Sequence, residues 1–147
     1  MEDKTKQIGK HIGIINRMGK CYISKKLEKY NIGSGQYIFL IYLFNNNGIS
    51  QENISEALHI NKGTTARAIK KLEKEGYVYR EIDENDKRIN RIFITKEGLN
   101  IKKAIYESIK EWNEIVYKGF EKEEKESMVN LLERAIKNYS TYKSQLD

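Results

Sequence analysis

At 147 residues and 17.3 kDa the chain is long enough for one domain with its own core and hardly for two. No run approaches the roughly 18 apolar residues of a membrane span. Met1-Glu2-Asp3-Lys4 opens no signal peptide, and the single Cys21 excludes an internal disulfide framework, so a globular cytoplasmic protein is expected.

The net charge of +6 is unevenly spread: residues 1–30 hold eight Lys/Arg against three acids and residues 61–91 hold nine against six, whereas 96–147 balance at ten each. A localised surplus can attract a polyanion, although the same surplus describes an ordinary solvated lysine-rich surface.

In chain order, residues 4–30 predict a long helix, with Ile8, Ile12, Ile15, Met18 and Tyr22 recurring at three- and four-residue spacing. Asn31-Ile32-Gly33-Ser34-Gly35 breaks it, and Ser34 is placed to cap a second helix over about 36–45. That helix is apolar all round, which predicts the centre of the core. Asn45-Asn46-Asn47-Gly48 ends it. A short helix over Ile49–Leu58 follows, its apolar face formed by Ile54, Ala57 and Leu58. After His59-Ile60, Asn61 caps a basic helix that Gly76 stops. Tyr77–Glu81 and Ile89–Thr95 read as two strands around the turn-forming Asp83-Glu84-Asn85-Asp86. From Lys96 the pattern is helical through Phe120, and after a charged break at Glu121–Glu126 a last helix carries Met128, Leu131, Leu132, Ala135, Ile136 and Tyr139.

Helix, turn, basic helix and charged hairpin over residues 50–98 form the layout of a winged helix-turn-helix, whose parts face duplex DNA, and residues 32–96 are expected to close a small winged core by themselves. The apolar stripes of the first and last helices then need burial elsewhere. A symmetric dimer through both chain ends satisfies this, and it would also reach two half-sites one turn apart; a monomeric bundle is the alternative.

At about 100° per residue the basic helix has two faces. Thr65, Ala68, Ile69 and Leu72 gather on one, and Thr64, Arg67, Lys70, Lys71 and Lys74 on the other. A small hydroxyl and an arginine near a helix N-terminus can reach base edges in the major groove, while the later lysines suit phosphates. An amphipathic surface helix would look similar; so would a winged domain used only for protein contact, except that its exposed face should be acidic or apolar. The hairpin adds Asp86-Lys87-Arg88 at or beside its tip. There Asp86 can hold the Arg88 guanidinium and aim it at a narrow minor groove.

On Gly33-Ser34-Gly35-Gln36-Tyr37, Ile49–Leu58, the segment Asn61–Val78, the wing motif Asn85-Asp86-Lys87-Arg88 and the wing exit Ile94-Thr95-Lys96-Glu97-Gly98, nearly the whole chain resembles the MarR family of transcriptional regulators. The resemblance implies an α+β, mostly helical winged helix-turn-helix fold: a single domain with a 32–96 core and dimerisation helices at 1–31 and 97–147. It implies a homodimer that binds pseudo-palindromic double-stranded DNA, usually as a repressor, and releases it on a small phenolic or lipophilic effector or an oxidant. The candidate DNA-contact residues are Asn61, Lys62, Thr64, Thr65, Arg67, Lys70, Lys71, Lys74, Asp86, Lys87 and Arg88. Tyr37, Tyr42 and Trp112, with Tyr117 near them in pattern, either line an effector cleft or belong to the core.

Some relatives sense hydroperoxides through a cysteine on the first helix. Cys21 lies only sixteen residues before Tyr37, later than in those sensors, and a buried, inert thiol is the competing expectation. His11 and His59 lack ligand-spaced neighbours, so neither a metal site nor a cofactor is expected, and no nucleophile–base pair or phosphate loop points to an enzyme.

Overall fold

The computed structural model describes residues 3–33 and 35–147; the cap expected at Ser34 and the opening Met1-Glu2 lie outside them. Two compact units are present, residues 1–112 and 113–147.

The first unit opens on a 3-10 turn at Lys4–Gln7, capped by Asp3, followed by helix α1 (Ile8–Lys26) and a second 3-10 turn at Glu28–Tyr30. The single helix expected over 4–30 is therefore in three pieces. Leu27 is wholly buried at the break, and Asn31 ends the segment in the left-handed region with φ 55°. Helix α2 (Tyr37–Asn45) buries Tyr37, Phe39, Leu40 and Leu43, and its other apolar residues are half-buried. Strand β1 (Ile49–Ser50) precedes α3 (Gln51–Leu58), so the first two residues expected in that helix are extended. Ser50 accepts the Asn53 N–H from this extended conformation, and its own backbone pairs with the sheet. On α3, Ile54 is buried and Leu58 half-buried, whereas Ala57 is exposed and Ser55 takes the inner position expected of it.

Helix α4 (Lys62–Lys74) leads to β2 (Val78–Ile82) and β3 (Asn90–Ile94), and the sheet order is β1-β3-β2, antiparallel throughout. Ile92 faces the core with no exposed surface, while Phe93 on the other face stacks on Tyr79 at 5.3 Å. Thr95 accepts the Gly98 N–H and caps α5 (Lys96–Asn100), and buried Ile101 separates it from α6 (Lys102–Val116).

The core is a single cluster built from Ile23 and Leu27 of the N-terminal segment, α2, Ile54, the inner face of α4, Val78, Ile92, and Ile101 and Ile105 near the start of α6. Residues 32–96 thus do not close their core alone. The inner face of α1 (Gly19, Ile23) and the start of α6 complete it, because α2 is apolar on more sides than α3 and α4 can cover. The other face of α1 remains outward: Ile8, Ile12, Ile15 and Met18 are exposed.

In the second unit Gly119 terminates the turn after α6, and α7 (Lys122–Ser144) starts with a reciprocal capping box between Glu121 and Glu124. Its Met128, Leu131, Leu132, Ile136 and Tyr139 are all exposed. Among the described residues no helix is long and apolar enough to cross a membrane.

Candidate nucleic-acid interface

The angle between α3 and α4 is set by three residues. His59 adopts the left-handed conformation (φ 52°) and donates its N–H to Glu56, the Ile60 N–H returns to Ser55, and the Ser55 hydroxyl donates to the Ile60 carbonyl. Asn61 then starts α4, its side-chain oxygen accepting the Thr64 N–H at 2.7 Å. This tight turn seats Ala68, Ile69 and Leu72 on the core and turns the opposite face outward.

That outward face carries Arg67, Lys70, Lys71 and Lys74, and among the described residues none of the four is in an ion pair. Glu73, the acid among them, is 3.6 Å from Arg80. Arg67 donates to the Thr64 hydroxyl at 3.1 Å, which directs its guanidinium toward the helix N-terminus. Lys62 is held at 2.7 Å by Glu52 of α3; the hydrogen bond from Lys62 is the main reason the Glu52 carboxyl titrates below its usual range. Lys71 leans over the connection between α1 and α2, beside Asn31 and Gly33.

Thr65 departs from the expected contact role: it has no exposed surface, and among the described residues its hydroxyl has no hydrogen-bond partner. Its helical phase with Ala68, Ile69 and Leu72 points it into the core, so it cannot touch an external partner.

The wing is the loop 83–89 between β2 and β3. Asp83 accepts the N–H groups of Asn85 (2.9 Å) and Asp86 (3.0 Å) through Oδ1, folding the loop into a compact turn. Asp86 accepts three bonds from Arg88: the backbone N–H and Nε reach Oδ1 at 3.0 Å each, and a terminal guanidinium nitrogen reaches Oδ2 at 2.9 Å. The Arg88 side chain remains 89% exposed. Its bonds to Asp86 hold that carboxyl well below the usual range and raise the guanidinium further. Lys87 is exposed beside it. Lys62 of α4 and Arg88 of the wing line one cavity of about 360 Å³ with the start of α3, so the basic helix and the wing share a continuous surface.

Sequence reasoning treated Asp83 as a turn residue and passed over Arg91. The structure joins them, Arg91 Nε donating to Asp83 Oδ2 at 2.6 Å across the hairpin. An acid and an arginine of opposite charge, eight residues apart on the two sides of a turn, are the signal that could have found this pair.

Tyr37 and Trp112 line a cleft of about 460 Å³ with Ile12, Ile15, Ile23 and Lys20, and burial pushes the Tyr37 hydroxyl up. Tyr42 does not belong to this cleft. It lies five residues along α2 from Tyr37, and so on another face of the helix. Cys21 is exposed, against the expectation of a buried thiol; Tyr22 instead meets the Trp112 ring in a tilted contact at 5.7 Å and donates to Glu111. Among the described residues no group of three His, Cys, Asp or Glu side chains is placed to hold a metal ion.

A MarR family sequence model matches residues 33–89. The uncharacterized HTH-type transcriptional regulator YybA of Bacillus subtilis is 33% identical over 88% of this chain and 86% of that protein. A MarR transcriptional regulator from Methanosarcina mazei superposes with TM-score 0.88 at 43% identity, covering 93% of this chain and 99% of that one. A Listeria monocytogenes protein solved with a 26mer DNA superposes with TM-score 0.85 at 30% identity, over 94% and 89% of the two chains. With its winged helix-turn-helix and its basic, unpaired α4 face, the chain belongs to the MarR family and is a DNA-binding transcriptional regulator rather than an enzyme.

Proposed function

We propose that the protein acts in the cytoplasm as a homodimeric repressor of pseudo-palindromic operators. The observation that carries this reading is the basic face of α4, where Arg67, Lys70, Lys71 and Lys74 are in no ion pair among the described residues, together with an arginine braced at the wing. Arg67, oriented by Thr64, reads base edges from the major groove, and Lys70, Lys71 and Lys74 contact phosphates. Asn61 and Lys62 lie at the α4 N-terminus near the backbone, and Arg88, supported by Asp86 and flanked by Lys87, enters the minor groove. The DNA complex of the Listeria relative supports the duplex as partner.

The whole of 1–147 is read as one functional domain, with the 32–96 region addressing DNA and residues 1–31 and 97–147 supplying a two-fold interface. The outward stripes of Ile8, Ile12, Ile15 and Met18 on α1, and of Met128, Leu131, Leu132 and Ile136 on α7, support that interface. The cleft at Tyr37 and Trp112 is apolar-walled and of a size to take a small phenolic or lipophilic effector whose binding releases DNA. Footprinting on DNA upstream of its own gene tests the reading: a protected inverted repeat is expected, and uniform, sequence-independent protection would overturn it.

A further inference from the structure

We propose that Arg91 is a positioning residue of the DNA interface, bridging the wing loop to the Gly48 peptide and thereby setting the direction in which Arg88 is presented. The inference rests on the reading that Arg88 contacts DNA. Arg91 lies on β3, opposite Ser50 on one side and Glu81 on the other. Its guanidinium bonds in two directions: Nε donates to Asp83 Oδ2 at 2.6 Å, and a terminal nitrogen donates to the Gly48 carbonyl at 3.2 Å. The second Asp83 oxygen holds the N–H of Asp86, and the Asp86 carboxylate holds Arg88. Polar contacts therefore run without a gap from the Gly48 peptide to the wing arginine.

Both partners of the Arg91 guanidinium, Asp83 and the Gly48 peptide, are firmly held. The Asp83 side chain is only 11% exposed. Gly48 donates its N–H to the Ile92 carbonyl at 2.8 Å and has φ +82°, and a Cβ there would sit 2.8 Å from the Phe93 ring. Gly48 lies three residues beyond the end of α2, whose Leu40 and Leu43 are fully buried. A ribbon of two five-residue strands would otherwise be free to twist about its base. The forked, planar guanidinium suits a bridge between a carboxylate and a carbonyl in different directions; a lysine ammonium on a flexible stem holds such an arrangement poorly.

The test uses full-length protein and a duplex that the wild type selects from a randomised pool, with A·T-rich or G·C-rich flanks. Arg91→Ala should weaken binding about tenfold, chiefly on the A·T-flanked duplex, with Asp83→Asn following it and Arg91→Lys intermediate. Arg88→Ala/Arg91→Ala should bind like Arg88→Ala alone, with the same dependence on salt. A further loss in the double variant, with a salt slope smaller by about 0.9, would mean that Arg91 touches phosphate itself and would overturn the positioning role. So would wild-type affinity in Arg91→Lys or Arg91→Ala. Amide exchange at Ile92 and Ile94 checks that the β3 ladder is intact. If Arg88→Ala is itself silent, it is the underlying minor-groove reading that fails.

Discussion

The Arg88 guanidinium lies against the Asp86 carboxylate in a two-point contact, Nε to Oδ1 at 3.0 Å and a terminal nitrogen to Oδ2 at 2.9 Å, yet remains 89% exposed. Solvent screening makes such a pair a minor contributor to fold stability. What it does is restrict the arginine to one direction, so its consequence belongs to binding.

Arg88→Ala should weaken operator binding strongly with fold and dimer intact, most of all where the flanks are A·T-rich. Asp86→Ala should weaken it less, because the charge remains while its direction is lost. A double-mutant cycle of operator affinity at fixed salt should show non-additive losses. Additive losses would reduce the pair to a surface contact. Since Arg88 depresses the Asp86 carboxyl, the brace stays ionised at neutral pH and is lost only as pH falls through that lowered value.

Arg67→Ala should cost about 1–3 kcal/mol on the operator and relax base preference, whereas Lys74→Ala should weaken all duplexes alike. Thr64→Val, which removes the oxygen 3.1 Å from the Arg67 guanidinium, should reproduce part of the Arg67 loss. Competition against random DNA separates the two behaviours; equal losses on both targets would remove Arg67 as a base reader.

Binding should weaken linearly in log affinity against log salt, with a slope near −0.9 for each phosphate contacted. The unpaired Lys70, Lys71 and Lys74 make several such contacts available. A slope near zero on duplex DNA would contradict a phosphate-contacting α4.

Deleting residues 127–147 removes most of the exposed apolar stripe of α7 and should yield monomers or aggregates by analytical sedimentation. A truncated protein that remains a clean dimer with full operator affinity would move the interface elsewhere.

Gly98→Ala should destabilise the fold by about 1–3 kcal/mol and lower the thermal midpoint by several degrees. A Cβ at this buried position would collide with the Tyr77 carbonyl and sit 2.9 Å from Ile94 Cγ2, and the former is backbone that cannot swing aside. Calorimetry of the variant beside wild type is the check; an unchanged midpoint would mean that the α5 start shifts freely.

Much of this architecture was legible before any coordinates because its causes are local. The 3.6-residue period separates the two faces of α4, the Asn61 side chain caps the helix immediately after it, and Asp86 needs only two residues of chain to reach Arg88. Residues distant in the chain decided the rest. A two-residue strand has no pattern of its own, and Ile49-Ser50 is extended because β3 offers partners at Ile92 and Arg91. The winged core draws Ile23, Leu27, Ile101 and Ile105 from outside 32–96 because α2 needs cover on more sides than its sequence neighbours provide. Tyr42 left the cleft that Tyr37 lines, because position around a helix, and not aromatic character, selects what a side chain faces. The Arg91–Asp83 contact exists only once the hairpin has closed and brought opposite charges across it. Periodicity and capping act over a few residues and can be read along the chain, whereas pairing across a sheet and the sharing of a core depend on which surfaces the completed fold brings together.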